Sequence, residues 1–352
     1  MAEKVVVAGA GFGGLNAAVE LARKGFEVEI IDKESFSEYT PGLIDVFRDR
    51  VEEDQLKIDL HDFFENIPVE FSREKILGFN VDEKKVETDS GSHSYDYLVL
   101  ALGSEPATYG LDVSNAESCY DLRGTRKLDR KTDECDSAII VGCGYVGVEI
   151  ATELEEKGIH VTMVDGSTRP VASSGIEVSD KVLNYMNNHD IDFRGGATVE
   201  EINEESVRLE TGEEIEADTV IWSGGIQAAQ IVQNYFDTGP SGLPVNSGLS
   251  SEEYPSVFAM GDNADSGFLE VAQNAEEQAE VVATNVAKSD NQALEEYSEG
   301  FLPLLISLGD TAVLTVGDKA YQNRMLRYLK DFVRVRYLFN LKKRKLKLRI
   351  GL

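Results

Sequence analysis

The chain is expected to be an α/β protein made of two Rossmann-like dinucleotide-binding domains, the second inserted into the first, followed by a C-terminal α/β segment with an amphipathic helix. Three observations predict this. Two glycine fingerprints, Gly9-Ala10-Gly11-Phe12-Gly13-Gly14 and Gly142-Cys143-Gly144-Tyr145-Val146-Gly147, stand 133 residues apart. The same offset, without a gap, lays Glu20 on Glu153, Leu21 on Leu154, Gly25 on Gly158, Val28 on Val161 and Asp32 on Asp165. A whole βαβ unit is therefore repeated. Each copy is also followed by an apolar strand that closes on small residues, Tyr97-Leu98-Val99-Leu100-Ala101-Leu102-Gly103-Ser104 in one and Val220-Ile221-Trp222-Ser223-Gly224-Gly225 in the other.

Each element has a local reason. Val5-Val6-Val7 and Ile139-Ile140-Val141 are β-branched runs that favour strands. In each copy the glycines allow a tight turn, close approach of backbone to a pyrophosphate, and close packing of the next helix on the strand. Gly9, Gly11, Gly13 and Gly14, and in the second copy Gly142, Gly144 and Gly147, are thus candidate cofactor residues. The N-terminus of the alanine-rich helix that follows faces the phosphates. Asp32 and Asp165 end the second strands, where a carboxylate accepts hydrogen bonds from the ribose of an adenosine. Lys33 and the polar loop Ser35–Gly42, with Pro41, are expected to touch the first cofactor. A hairpin-like stretch near 76–95 leads into the strand carrying Ala101 and Gly103, which returns beneath that cofactor and hands the chain to the second unit. Gly224 ends the equivalent strand. Val257-Phe258-Ala259-Met260 then leads to Gly261 and Asp262, so the Asp262 carboxylate emerges at a strand end, where ligands sit in open α/β sheets; it also suits a helix cap. These boundaries divide the chain into a discontinuous first domain (1–105 and 227–300), an inserted second domain (106–226) and a C-terminal docking segment (301–352).

The 352 residues, 42% hydrophobic, suffice for ordered cores in two or three domains. No apolar run approaches the roughly 20 residues that span a bilayer, and the first strand starts almost at the N-terminus, so a cytoplasmic start is expected. Cys119, Cys135 and Cys143 form no metal-type cluster and the four histidines are scattered; no metal and no nucleic-acid partner is expected. The net charge of −30 suits a surface adapted to molar salt and suggests a halophilic host. The charge is unevenly placed. Residues 1–318 hold 22 Lys or Arg against 63 Asp or Glu, whereas residues 319–352 hold 12 against one.

That tail is amphipathic on a helical period. Met325, Tyr328, Leu329, Phe332, Val335 and Phe339 share one side and Arg324, Arg327, Lys330 and Arg334 the other, the composition of a helix lying flat on a membrane. Packing on the chain's own acidic body is the competing reading. Lys342–Ile350 alternates cation and aliphatic, which suits a membrane surface or an edge strand.

The fingerprints, the strand ending in Gly103-Ser104, the Trp222–Gly225 strand and Met260-Gly261-Asp262 occur in the order seen in two-dinucleotide-binding-domain flavoproteins, which this chain resembles. The resemblance implies FAD on the first fingerprint, a nicotinamide nucleotide on the second, and Asp262 at the flavin ribityl. Disulfide reductases of that group need a cysteine pair near the start, and sulfide:quinone reductases need cysteines beyond the second fingerprint; this chain has neither. The chain most resembles the type II NADH dehydrogenases. Ala272-Gln273-Asn274-Ala275-Glu276-Glu277 is similar to their AQxAxQ quinone motif, with Glu277 in the place of the last glutamine. The resemblance implies non-pumping oxidation of NADH with two electrons passing through FAD to a membrane quinone, on a protein attached peripherally to the inner face of the cell membrane. Glu149 is expected to orient the nicotinamide or relay protons, and Gln273 and Glu277, one helical turn apart, to bind the quinone and deliver a proton. Glu149 equally suits a first-turn acid stabilised by its helix dipole. Asp165 would repel a 2'-phosphate and favour NADH, a preference that Arg169 would weaken. Two alternatives remain open: a soluble reductase of a ferredoxin- or rubredoxin-like protein, docked by the basic tail, and a nucleotide sensor with little turnover. A homodimer stays open as well.

Overall fold

The structure is a computed structural model that describes residues 2–288, 292–300, 303–317 and 319–351. Residues 301, 302, 318 and 352 of the C-terminal segment lie outside the described ones. Two five-stranded parallel sheets carry the fold. The first runs in the order Val257–Ala259, Tyr97–Leu100, Lys4–Ala8, Glu27–Asp32, Val69–Arg73, and the second in the order Glu117–Ser118, Val220–Trp222, Ser137–Val141, His160–Asp165, Ile191–Gly195. The last four strands of each correspond one for one, with the fingerprint strand second among them. Parallel strands are covered by helices on both faces and read as continuous apolar runs. Val5, Val6, Val7, Ile139 and Ile140 are accordingly fully buried. The α/β class and the twin dinucleotide folds are thus present as expected.

The fingerprint helices, Phe12–Arg23 and Tyr145–Glu156, start on Gly11 and Gly144 and end at Gly25 and Gly158, whose φ values of 91° and 86° close the helix in the left-handed region. Each sheet is interrupted along the chain by a three-stranded antiparallel meander: Ile76–Asn80, Lys85–Thr88 and Ser92–Ser94 before Tyr97–Leu100, and Val199–Ile202, Ser206–Leu209 and Glu214–Glu216 before Val220–Trp222. The two segments that cross between the sheets, Ser104–Pro106 and Ile226–Ala228, pair antiparallel with each other. Past the helix Ala272–Val286, a three-stranded antiparallel sheet (Leu304–Leu308, Thr311–Val316, Lys319–Asn323) leads to one 25-residue helix, Met325–Arg349.

That last helix differs from two expectations. Lys342–Arg349 continues it without a break, so the cation–aliphatic alternation is neither an edge strand nor a separate element. The opposition of faces is real, but part of the cationic side turns inward. Arg327 contacts Asp45, Lys330 reaches Glu149 at 2.9 Å, and Arg344 lies 3.3 Å from Glu20, 3.6 Å from Glu276 and 2.7 Å from Glu280. The apolar side is left outward: Met325, Tyr328, Phe332, Val335 and Phe339 are each more than half exposed. Packing on the acidic body and an outward apolar face therefore coexist. Among the described residues no helix is long and apolar enough to cross a membrane.

Candidate cofactor and acceptor site

A continuous cleft of about 1890 Å³ runs between the two sheets and the C-terminal unit. That exceeds the few hundred Å³ of an ordinary small-molecule pocket. Gly11, Gly13, Asp32, Lys33, Pro41, Ala101, Gly103, Gly144, Glu149, Gly261, Asp262 and Gln273 line it. Gly9, Gly14, Gly142 and Gly147 stand behind the turns. A Cβ on Gly14 would lie 1.9 Å from the Gly9 carbonyl oxygen, and one on Gly147 2.2 Å from that of Gly142. Gly224 packs beneath the Trp222 indole, where a Cβ would lie 2.3 Å from the ring. Gly11 and Gly144 face open space, with nothing within 4 Å of such a Cβ, and neither following helix has a side-chain cap. The first-turn N–H groups are thus left for an acceptor at the turn, which fits a pyrophosphate in each copy.

The two terminal aspartates are held alike. Asp32 accepts from the N–H of Ala10 at 2.7 Å and of Glu34 at 2.9 Å; Asp165 accepts from Cys143 and Ser167, both at 2.6 Å. Both carboxylates face the back of a fingerprint turn, although Asp165 does not line the main cleft. Burial raises the pKa of Asp32, an effect that the Glu34 and Ala10 N–H groups oppose. Asp262 is likewise pushed up by burial, against the Ser104 hydroxyl bonded to it; it caps no helix with its side chain. Burial raises Glu270, beside Asp262 and Asp265, in the same wall.

Sequence reasoning missed the residues that hold these groups in place. Asn263 accepts from Leu102 N–H at 2.5 Å and donates to the Gly103 carbonyl at 2.7 Å, so it fixes the turn after Ala101. Gln278 accepts from Gly261 N–H at 2.7 Å. It therefore braces the Gly261-Asp262 turn, while Gln273 donates to Glu277 at 3.0 Å. Glu277 itself is not among the lining residues. An aromatic trio joins loop, fingerprint helix and C-terminal helix: Phe12 lies 4.8 Å from Tyr337 and 5.6 Å from Tyr39, ring centre to ring centre.

Glu149 is the most connected of the candidates. Its carboxylate takes Lys330 at 2.9 and 3.1 Å and the Ser307 N–H at 2.8 Å, and Lys330 also reaches the Ser307 hydroxyl at 3.3 Å. The pairing joins the second fingerprint helix to the C-terminal sheet and helix along the cleft. The cationic spacing 327, 330, 334 was the only trace of it in the sequence. Leu304, Leu305, Leu329, Phe332 and Val333 make the adjoining wall apolar. Cys119 also lines the cleft, and burial, opposed by Thr125 and reinforced by Glu149, pushes its thiol up to about 12. Cys143 packs on the Met163 sulfur at 3.7 Å. Among the described residues no group of three or more His, Cys, Asp or Glu side chains is placed to hold a metal.

The family model for pyridine nucleotide-disulphide oxidoreductases matches residues 3–279. A type II NADH:quinone oxidoreductase of Staphylococcus saprophyticus is 25% identical to the chain, over 96% of both proteins. Among solved structures, NDH2 from Plasmodium falciparum in complex with NADH superposes with a TM-score of 0.84, covering 100% of this chain and 97% of its own at 15% identity. The sulfide:quinone oxidoreductase of Aquifex aeolicus superposes with a TM-score of 0.85, covering 99% and 92% at 19% identity. At those identities the two structures speak for the fold alone. The family match spans most of the chain, and with it both fingerprints, the strand that ends in Gly103 and the Gly261-Asp262 turn: the protein belongs to the pyridine nucleotide-disulphide oxidoreductases.

Proposed function

We propose that the protein oxidises NADH and passes two electrons through FAD to a quinone taken from a membrane surface. The observation that carries this reading is the apolar part of the cleft wall. Leu304, Leu305, Leu329, Phe332 and Val333 form an apolar wall that continues into the outward face of the last helix, where Phe332 is 63% and Phe339 65% exposed. An exposed apolar stripe of this size marks an interaction surface. An apolar acceptor would reach the cleft from the surface on which that helix lies, attached peripherally. The relatives named as NADH:quinone oxidoreductases support the same assignment.

Bound FAD would supply the hydride and electron-transfer chemistry, and the chain supplies binding, orientation and proton handling. Gly9, Gly11, Gly13, Gly14, Asp32, Lys33, Pro41, Ala101, Gly103, Gly261 and Asp262 hold FAD in this reading, and Gly142, Gly144, Gly147, Asp165 and Gly224 hold NADH. Gln273, braced by Glu277, orients the quinone head group. Glu149, held by Lys330 and the Ser307 N–H, orients the nicotinamide or relays protons in the cleft.

The test is anaerobic reduction of the FAD-loaded protein by NADH followed by a short-chain quinone. Bleaching of the flavin with quinone-dependent recovery is expected; bleaching without recovery sinks the quinone assignment and directs attention to protein acceptors. Absence of turnover with every acceptor would leave a sensor. Flotation with liposomes tests the surface: wild type should float, and the double variant Phe332→Asp/Phe339→Asp should remain at the bottom with its flavin bound. Docking of an acidic redox protein by the tail is the weaker reading, because Arg327, Lys330 and Arg344 are already engaged by acids of the body.

A further inference from the structure

The loop after Asp165 carries a cation at a position where the first copy has none. Laid over each other at the 133-residue offset, Arg169 falls on Phe36. The loop is short and tied at both ends to the same residue of the fingerprint: Asp165 accepts from Cys143 N–H at 2.6 Å, and Val171 N–H donates to the Cys143 carbonyl at 2.8 Å. Residues 166–170 therefore arch beside the turn, next to the Asp165 carboxylate, where the adenosine ribose of a bound nucleotide would lie. Ser167 carries one end of the arch, its N–H on Asp165 and its carbonyl accepting from Gly196 at 3.0 Å. An arginine at this place is the group that accommodates a ribose 2'-phosphate in dinucleotide sites. Arg169, however, is turned away. Its guanidinium contacts the Asp180 carboxylate, and its Nε donates to the Ser179 hydroxyl at 3.3 Å. Both partners belong to the helix Ile176–Asn187.

We propose that Asp180 is a specificity-determining residue: by holding Arg169 against its helix it withholds the one cation of the arch from a 2'-phosphate and keeps the second site selective for NADH over NADPH. The inference rests on the reading of the second fingerprint as the nicotinamide nucleotide site. The clamp is half-exposed, with Arg169 at 40% and Asp180 at 53%, so it competes with a phosphate only modestly. Releasing it should shift the preference by about fivefold, the most that one exposed ion pair commonly contributes. Asp165 remains in place and continues to favour a free 2'-hydroxyl.

The experiment is calorimetric titration of the FAD-loaded protein with ADP-ribose and with 2'-phospho-ADP-ribose, ligands that need no turnover. Asp180→Asn should tighten binding of the phosphorylated ligand about fivefold and leave ADP-ribose unchanged, with FAD content as a check on folding. Asp180→Glu should behave as wild type. Arg169→Gln/Asp180→Asn should lose the gain. An unchanged affinity in Asp180→Asn overturns the proposal, and so does a gain that persists in the double variant, since it would come from loss of the Asp180 charge alone. If neither ligand binds wild type while NADH does not bleach the flavin, the nicotinamide reading itself falls, and the inference with it.

Discussion

A methyl group on Gly14 would stand 1.9 Å from a backbone oxygen, whereas on Gly144 it would meet nothing within 4 Å. The same substitution therefore tests two different things. Gly14→Ala forces backbone apart where it cannot yield and is expected to cost about 1–3 kcal/mol or more of stability, seen as a lowered urea midpoint and loss of FAD. Gly144→Ala should keep the wild-type midpoint and its FAD yet weaken NADH by at least about tenfold, because the methyl occupies the path of the pyrophosphate. A normal NADH affinity in Gly144→Ala would contradict the phosphate role. The glycines were legible in the sequence because only backbone chemistry decides them; Asn263, Gln278 and Lys330 were not, because each acts on a residue far along the chain. The thiols make a second test. Burial pushes Cys119 up to about 12 and Cys143 higher still, and Cys135, less buried, is raised too. A thiol whose pKa lies far above the pH stays protonated and unreactive. At pH 8 iodoacetamide should label no more than Cys135 in the folded protein and all three after denaturation, read by mass spectrometry. Rapid labelling of Cys119 would mean a reactive thiolate in the cleft, and would reopen the sulfur chemistry that the sequence argues against.

The last helix shows where a sequence stops informing. Its two faces were legible from the period of Met325, Tyr328, Phe332 and Phe339, but a hydrophobic stripe does not say which side packs. The body decided it. With 63 acids over residues 1–318, the inward positions went to cations, and Arg327 lies against Asp45 and within 4.0 Å of Glu153 while Arg344 lies against Glu20. Glu20 and Glu153 are equivalent positions of the repeat, so one helix reads the same surface twice. Seventeen residues separate the two arginines, about 25 Å of helix, which lets it bridge both units. The two anchors should differ in strength. Arg327→Met leaves Asp45, only 6% exposed, as an uncompensated charge, at a cost of about 3–5 kcal/mol. Arg344→Met should cost less, about 1–3 kcal/mol, because Glu20 keeps Arg23, Glu276 keeps Arg336 nearby and Glu280 is 59% exposed. Urea titrations of the two variants give the comparison, and equal losses would show that the helix is not anchored chiefly at its first third.

At the scale of the whole molecule, duplication made the fold readable. Four strands of one sheet correspond to four of the other, and every strand that closes a fingerprint repeats its apolar run. The antiparallel unit 304–323 had no such echo; its short strands take register from each other and from helices packed on them, so charge and periodicity alone could not place them. Charge raises the remaining question of what limits stability. The chain carries −30 overall, and self-repulsion of that size opposes the compact state. The engaged cations of the last helix work the other way, since salt weakens them too. Their best pairs are buried and weakly screened, whereas the repelling acids are mostly exposed and strongly screened, with a Debye length of about 3 Å at 1 M. Repulsion should therefore lose more than attraction does as salt is added. The melting temperature of the FAD-loaded protein is expected to rise by about 2 °C or more between 0.1 and 2 M KCl, a gain of about 1–2 kcal/mol for a chain of this length. The variant Arg344→Met, which has lost one partly exposed anchor, should gain slightly more over the same range. A melting temperature that falls with KCl would place the ion pairs of the last helix, rather than the repulsion of the body, in control of stability.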